Sequence, residues 1–165
     1  MKRRVLALLL GLAGCGGPTT GPTSAVSPDL ETAAIERGLV RDPQNRAIFG
    51  AFARGPDRLC ILPSAKANRV GIVIDYDAAN GCRATGSVRR TADGLELILG
   101  SADACRFTAR YDGDHLALPG AVPAPCARLC TGRAGLAGAQ FTRLGESMAE
   151  ARAMRDAKGQ PLCEE

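Results

Sequence analysis

Tryptophan is absent, histidine occurs once, and the aromatics amount to four Phe and two Tyr in 165 residues. One histidine excludes a histidine-rich metal site. It also leaves His115 as the sole imidazole for a Ser-His-Asp triad. The apolar run Val5 to Ala13 has nine residues, far short of the roughly 20 that a bilayer-spanning helix needs. Neither sign of charge dominates: 21 Lys+Arg stand against 17 Asp+Glu, a formal +4. Collagen-like and disordered compositions are excluded as well, because 45% of residues are hydrophobic and 23% charged. The chain has the length of one ordinary domain plus a leader.

The amino terminus carries its own message. Lys2, Arg3 and Arg4 precede the apolar run, which has the length of the hydrophobic core of a secretory signal. The run ends in Leu12-Ala13-Gly14-Cys15. This tetrad resembles the lipobox of bacterial lipoproteins at all four positions. The resemblance implies a diacylglyceryl group on Cys15, cleavage after Gly14 and acylation of the new amino terminus. Gly16 follows the cysteine, where an aspartate would imply retention in the inner membrane; the resemblance therefore implies the outer membrane, facing the periplasm. It covers the targeting segment only and implies no activity for the rest of the chain.

The expected organisation is a signal peptide over 1–14, a lipidated cysteine and tether over 15–27, and one β-rich domain over 28–165. Without residues 1–14 the chain has 18 basic and 17 acidic residues, a formal +1. A near-neutral domain lacks the broad positive field of a nucleic-acid binder, so no nucleic-acid partner is expected. The segment GGPTTGPTSAVS, Gly16 to Ser27, has no charge and little apolar surface. Such a segment reads as a flexible tether with a root-mean-square reach of about 20 Å.

Six cysteines remain: Cys60, Cys82, Cys105, Cys126, Cys130 and Cys163. An even number in an oxidising compartment reads as three disulfides. Cys126 and Cys130 have neither zinc-ligand nor thioredoxin-like spacing, so no metal or cofactor is expected. Of the 15 possible connectivities, the sequential one pairs Cys60 with Cys82, Cys105 with Cys126, and Cys130 with Cys163.

Hydrophobic periodicity sets the fold class. Ser27 and Pro28 open a short helix over 28–39. Ile48, Phe49 and Phe52 anchor the start of the domain. From Leu59 onward the apolar period is two. Strands are predicted near 58–62, 69–76, 82–90, 95–99, 105–111, 115–118 and 138–144. Asn80-Gly81, Asp93-Gly94 and Asp112-Gly113 mark turns between them. Val70, Ile72, Ile74 and Tyr76 form one inner face; Cys82 and Cys105 lie on others. A carboxy-terminal helix is expected over 145–159, with Leu144, Met148, Ala151 and Met154 along its apolar side. The pattern predicts a mainly β protein, a small antiparallel meander closed as a barrel or stacked as a sandwich, stapled by disulfides.

Searches for reactive constellations end in structural readings. His115 follows a turn on an outward strand face. Ser87 lies within a strand and lacks the second glycine of a nucleophile elbow. The glycine-rich 132–138 stretch lacks both the dinucleotide fingerprint and the phosphate-loop ending. The turn aspartates Asp75, Asp77, Asp112 and Asp114 sit where Asp is favoured for backbone reasons. Catalysis is therefore not expected. Arg83, Arg89, Arg106 and Arg110 all fall on outward strand faces. Arginine forms bidentate contacts with carboxylate and phosphate, so these four define a candidate anion-binding face. The expected role is non-enzymatic envelope maintenance, or binding of an envelope protein or anionic envelope polymer. A second class is an inhibitor of a secreted hydrolase, since small lipid-anchored lysozyme inhibitors share this general architecture. No inhibitor motif accompanies that likeness.

Overall fold

A computed structural model describes residues 29–37, 39, 47–101 and 105–163. The signal segment, Cys15, the tether, the helix-opening Ser27 and Pro28, and Gly38 lie outside the described residues. The chain divides into two compact units, Met1–Val40 and Arg41–Glu165. In the first, α1 spans Leu30–Glu36 behind Asp29 and has no buried residue.

The second unit is a β-barrel. Its strands are β1 (Gly50–Arg54), β2 (Asp57–Leu62), β3 (Asn68–Asp75), β4 (Gly81–Thr91), β5 (Gly94–Leu99), β6 (Cys105–Tyr111), β7 (His115–Ala117), β8 (Cys130–Thr131) and β9 (Gln140–Gly145). All pairings are antiparallel. The ring runs β1 through β7, then β9, which returns to β1. The two-residue β8 stands outside the ring and pairs with the start of β4. Eight strands leave a lumen just wide enough for side chains to fill. Here they fill it: Phe52, Leu59, Ile72 and Ala84 form one row across four strands, and Val88, Leu97 and Phe107 another.

Strands of period two bury alternate residues, and β5 and β6 do so throughout, with Leu95, Leu97, Leu99, Cys105, Phe107 and Ala109 buried. β1 does not alternate, because both of its faces are covered. Phe52 points into the lumen, while α2 (Met148–Ala153) packs outside β1 and β2. That double burial hides β1 from a periodicity reading. The outer layer is a second apolar cluster of Cys60, Leu62, Val73, Ala151, Leu162 and Cys163. Gly71 makes the seat for the tail: a Cβ there would stand 2.2 Å from the Leu162 carbonyl oxygen.

The three expected disulfides are present with a different pairing. Cys105–Cys126 matches the sequential order; the other two bridges are Cys60–Cys163 and Cys82–Cys130. Cys60 faces outward beneath the tail, whereas Cys82 faces the lumen, so those two cannot meet. The carboxy-terminal helix is also shorter than expected. Ser147 caps its amino end, accepting from the Glu150 amide, and it stops at Ala153. The chain then doubles back through an Arg155–Pro161 bridge, with Asp156 Oδ1 accepting from the amides of Lys158 and Gln160. Leu144, expected on the apolar side of that helix, lies in β9 facing outward and is 64% exposed. Tyr76, expected inside, is exposed beyond the end of β3. Asn80-Gly81 does not form a two-residue turn. A loop over 76–80 is held instead by Asp77, which accepts from the amides of Ala79 and Asn80.

The two barrel ends are closed differently. At the end where β4 and β6 begin, a 3-10 helix (Ala124–Leu129) and β8 form a lid. It is bolted by Cys82–Cys130 and Cys105–Cys126 and sealed by buried Leu136. At the other end Arg143 turns inward from β9. Its guanidinium donates to the carbonyls of Gly113 (2.7 Å), Phe49 (2.6 Å) and Ala47 (3.0 Å) and to the Tyr111 hydroxyl. It also lies 4.7 Å over the Phe52 ring. In Arg143→Met the Phe49 carbonyl would lose this donor and the Ala47 and Gly113 carbonyls would have the Tyr111 hydroxyl to share, each deprived acceptor worth about 1–3 kcal/mol if it stays dry. That variant should unfold with a stability loss of about 2–4 kcal/mol in urea titration.

Candidate functional site: the arginine-bearing outer wall

The predicted arginines separate into two groups. On β4 the lumen-facing residues are Cys82, Ala84 and Val88, so Arg83 and Arg89 face outward as expected. They stand six residues apart, about 20 Å along an extended strand. Arg83 belongs to the fold. Its Nη1 lies 2.5 Å from Asp156 Oδ2 and its Nη2 donates to the Pro161 carbonyl at 2.7 Å. It clamps the tail onto the barrel and is not part of a common anion-binding face.

Arg89, Arg106 and Arg110 do share a wall, that of β4, β5 and β6. The register sets Arg89 beside Glu96 and Glu96 beside Thr108, with Ile98 beside Arg106. Glu96 lies between two cations: Arg89 Nε is 2.5 Å from Oε2 and Arg106 Nη1 is 3.6 Å from Oε1. Arg110 is four residues beyond Arg106, about 13 Å along β6. The guanidiniums are therefore spaced along a surface, with no single pocket between them. The hydrogen bond from Arg89 holds the Glu96 carboxyl below its ordinary 4.5, assisted by the charges of Arg89 and Arg106.

Arg110 also borders a groove of about 580 Å³ on the outside of β7, lined among others by Arg54, Asp112, His115, Gln140 and Thr142. His115 Nδ1 lies 3.2 Å from Asp112 Oδ2, and both side chains are mostly exposed. Burial opposes the charged form of Asp112. The backbone N–H groups of His115 and Asp114 outweigh it and keep the carboxyl below its ordinary 3.8. The pair is a turn contact, matching the sequence reading of both residues. Ser87 lies inside β4, as expected of a strand residue. The stretch 132–138 is a loop whose Leu136 caps the lumen. Among the described residues, no three His, Cys, Asp or Glu side chains are grouped to hold a metal ion.

Arg143 is the important residue that the sequence reading missed. A signal was present: Phe141 and Arg143 share a period-two face. An arginine on an apolar face is easily taken for the end of the strand.

A closed, filled eight-stranded antiparallel barrel defines the architecture, and comparison adds no relative to it. No family model, curated protein or solved structure matches the chain.

The Glu96 triad has a pH signature. A carboxyl whose folded value is lowered contributes stability that is complete above its ordinary 4.5 and is lost as the pH falls through the lowered value. Glu96→Gln should therefore flatten the acid limb. Between about pH 5 and pH 3 its urea midpoint should fall less than that of the unaltered protein.

Proposed function

We propose that the protein is a lipid-anchored component of the bacterial cell envelope that binds an anionic envelope polymer on its outer wall, without catalysing a reaction. The anchor is Cys15 of the Leu12-Ala13-Gly14-Cys15 tetrad, and the tether over 16–27 has a root-mean-square reach of about 20 Å. Its expected site is the outer membrane, facing the periplasm.

One observation carries the binding reading. Arg89 on β4 and Arg106 and Arg110 on β6 flank β5, whose one carboxylate, Glu96, is set between Arg89 and Arg106. Arginine backbone positions about 10–13 Å apart on the sheet, two of them drawn toward Glu96, suit repeated charges along a polymer better than a single small anion. A lumen filled by Phe52, Leu97, Phe107 and Phe141 favours surface binding over carriage of an internal ligand. The sheet fixes where each arginine begins, so binding costs only the ordering of the side-chain ends.

Two experiments test the reading. Cys15→Ser should abolish incorporation of labelled fatty acid and release the protein from the membrane fraction; continued labelling would refute the anchor. For the surface, the probe is purified cell-wall sacculi in a co-sedimentation assay. Joint replacement of Arg89, Arg106 and Arg110 by Gln should weaken binding about tenfold or more at low salt. Glu96→Gln should strengthen it, and both differences should shrink as salt screens exposed charge. Equal binding by all three proteins would refute the polymer-binding surface.

A further inference from the structure

We infer that this chain is a substrate for a thiol–disulfide isomerase, which exchanges two early, wrongly paired bridges for the native pair. The native bridges are fully nested. Cys105–Cys126 is innermost, with a separation of 21; Cys82–Cys130 encloses it at 48; Cys60–Cys163 encloses both at 103. An unfolded chain favours the opposite order. Closing the loop of about 22 residues between Cys60 and Cys82 is entropically favoured about tenfold over closing the 103-residue native loop. A chain that emerges from its amino end also presents Cys82 to Cys60 long before Cys163 exists. Pairing in the order of emergence therefore gives Cys60–Cys82, Cys105–Cys126 and Cys130–Cys163.

The barrel cannot form around two of those bridges. β3 separates β2 from β4 by pairing with both, which sets their axes about 9.5 Å apart. Bridged cysteines need Cα atoms within about 7 Å. The faces conflict as well: Cys60 and Cys163 lie in the outer apolar cluster, whereas Cys82 and Cys130 belong to the lumen cluster and its lid. The mispaired form thus holds an outward cysteine to an inward one twice over.

The repair uses four sulfurs and leaves Cys105–Cys126 untouched. The isomerase thiolate attacks Cys82 Sγ, forming a mixed disulfide and breaking the Cys60–Cys82 bond, which frees the Cys60 thiolate. Cys60 attacks Cys163 Sγ, forming Cys60–Cys163 and releasing the Cys130 thiolate. Cys130 attacks the mixed disulfide at Cys82, forming Cys82–Cys130 and returning the isomerase thiolate. Two disulfides enter and two leave, so no oxidant or reductant is consumed. The exchange involves Cys60, Cys82, Cys130 and Cys163 and is independent of lipidation at Cys15.

The test uses the full chain with Cys15→Ser, so that the seventh thiol takes no part. The reduced, unfolded protein is oxidised with diamide alone. Portions then receive reduced glutathione or a catalytic amount of purified disulfide isomerase, and bridges are mapped by mass spectrometry of unreduced peptides. Diamide alone should leave Cys60–Cys163 in a minority of chains, with Cys60–Cys82 abundant. Added thiol or isomerase should raise Cys60–Cys163 about threefold or more and remove Cys60–Cys82. Equal amounts of Cys60–Cys163 and Cys82–Cys130 with and without thiol would overturn the inference, since folding would then select the native pairs directly. The readout is bridge identity, so it does not depend on the mispaired chain folding.

Discussion

The ladder between β1 and β9 turns a sheet into a barrel. Its strands are far apart in sequence, and it carries a register shift between Ala51 and Phe52. Without it the sheet would have two exposed edges, with unpaired amides and carbonyls along β1 and β9. Closure also encloses the apolar filling, whose rows cross four strands at a time. Arg143 belongs to the same junction. It sits opposite Phe52 in that ladder, and its guanidinium joins β9 to the backbone just before β1 and to the β6–β7 turn. One side chain thereby ties together the first strand, the last strand and a turn between them.

Arginine serves four purposes here, and only its surroundings distinguish them. Arg143 is buried and saturated by carbonyls. Arg83 is half-exposed and holds the tail through Asp156 and Pro161. Arg89 and Arg106 share one carboxylate, and Arg110 borders the groove beside β7. Outward strand position alone gives Arg83, Arg89, Arg106 and Arg110 the same appearance. The partner of Arg83, Asp156, lies 73 positions away, whereas Arg89 and Arg106 reach Glu96 on the strand between them.

What the sequence made legible follows from local physics. Strands with one wet face, such as β4, β5 and β6, declare themselves by alternation, and their outward residues were all correctly oriented. The turns near Asp93-Gly94 and Asp112-Gly113 are local as well, the first closing one residue earlier over Ala92-Asp93 with Gly94 paired to Thr91. β1 was not legible, because α2 covers its outer face and erases the alternation. Disulfide pairing was not legible either, for it depends on which side of the wall each sulfur faces. The apolar spacing of Leu144, Met148, Ala151 and Met154 or Arg155 suits a longer helix, but Leu144 belongs to β9 and the helix ends at Ala153. Its actual course is fixed by the Cys60–Cys163 bridge and by the space above Gly71.

The seat above Gly71 gives the barrel a front and a back. α2 and the residues through Cys163 occupy the outside of β1, β2 and β3, while the outside of β4, β5 and β6 carries exposed Arg, Thr and Ser. A ring of eight equivalent strands could in principle be approached from any direction. This one has three of its eight outer strand faces covered by its own chain. Among the described residues the uncovered strand faces are contiguous, from β4 round to β9, so a flat surface that meets the barrel closely meets it from that side.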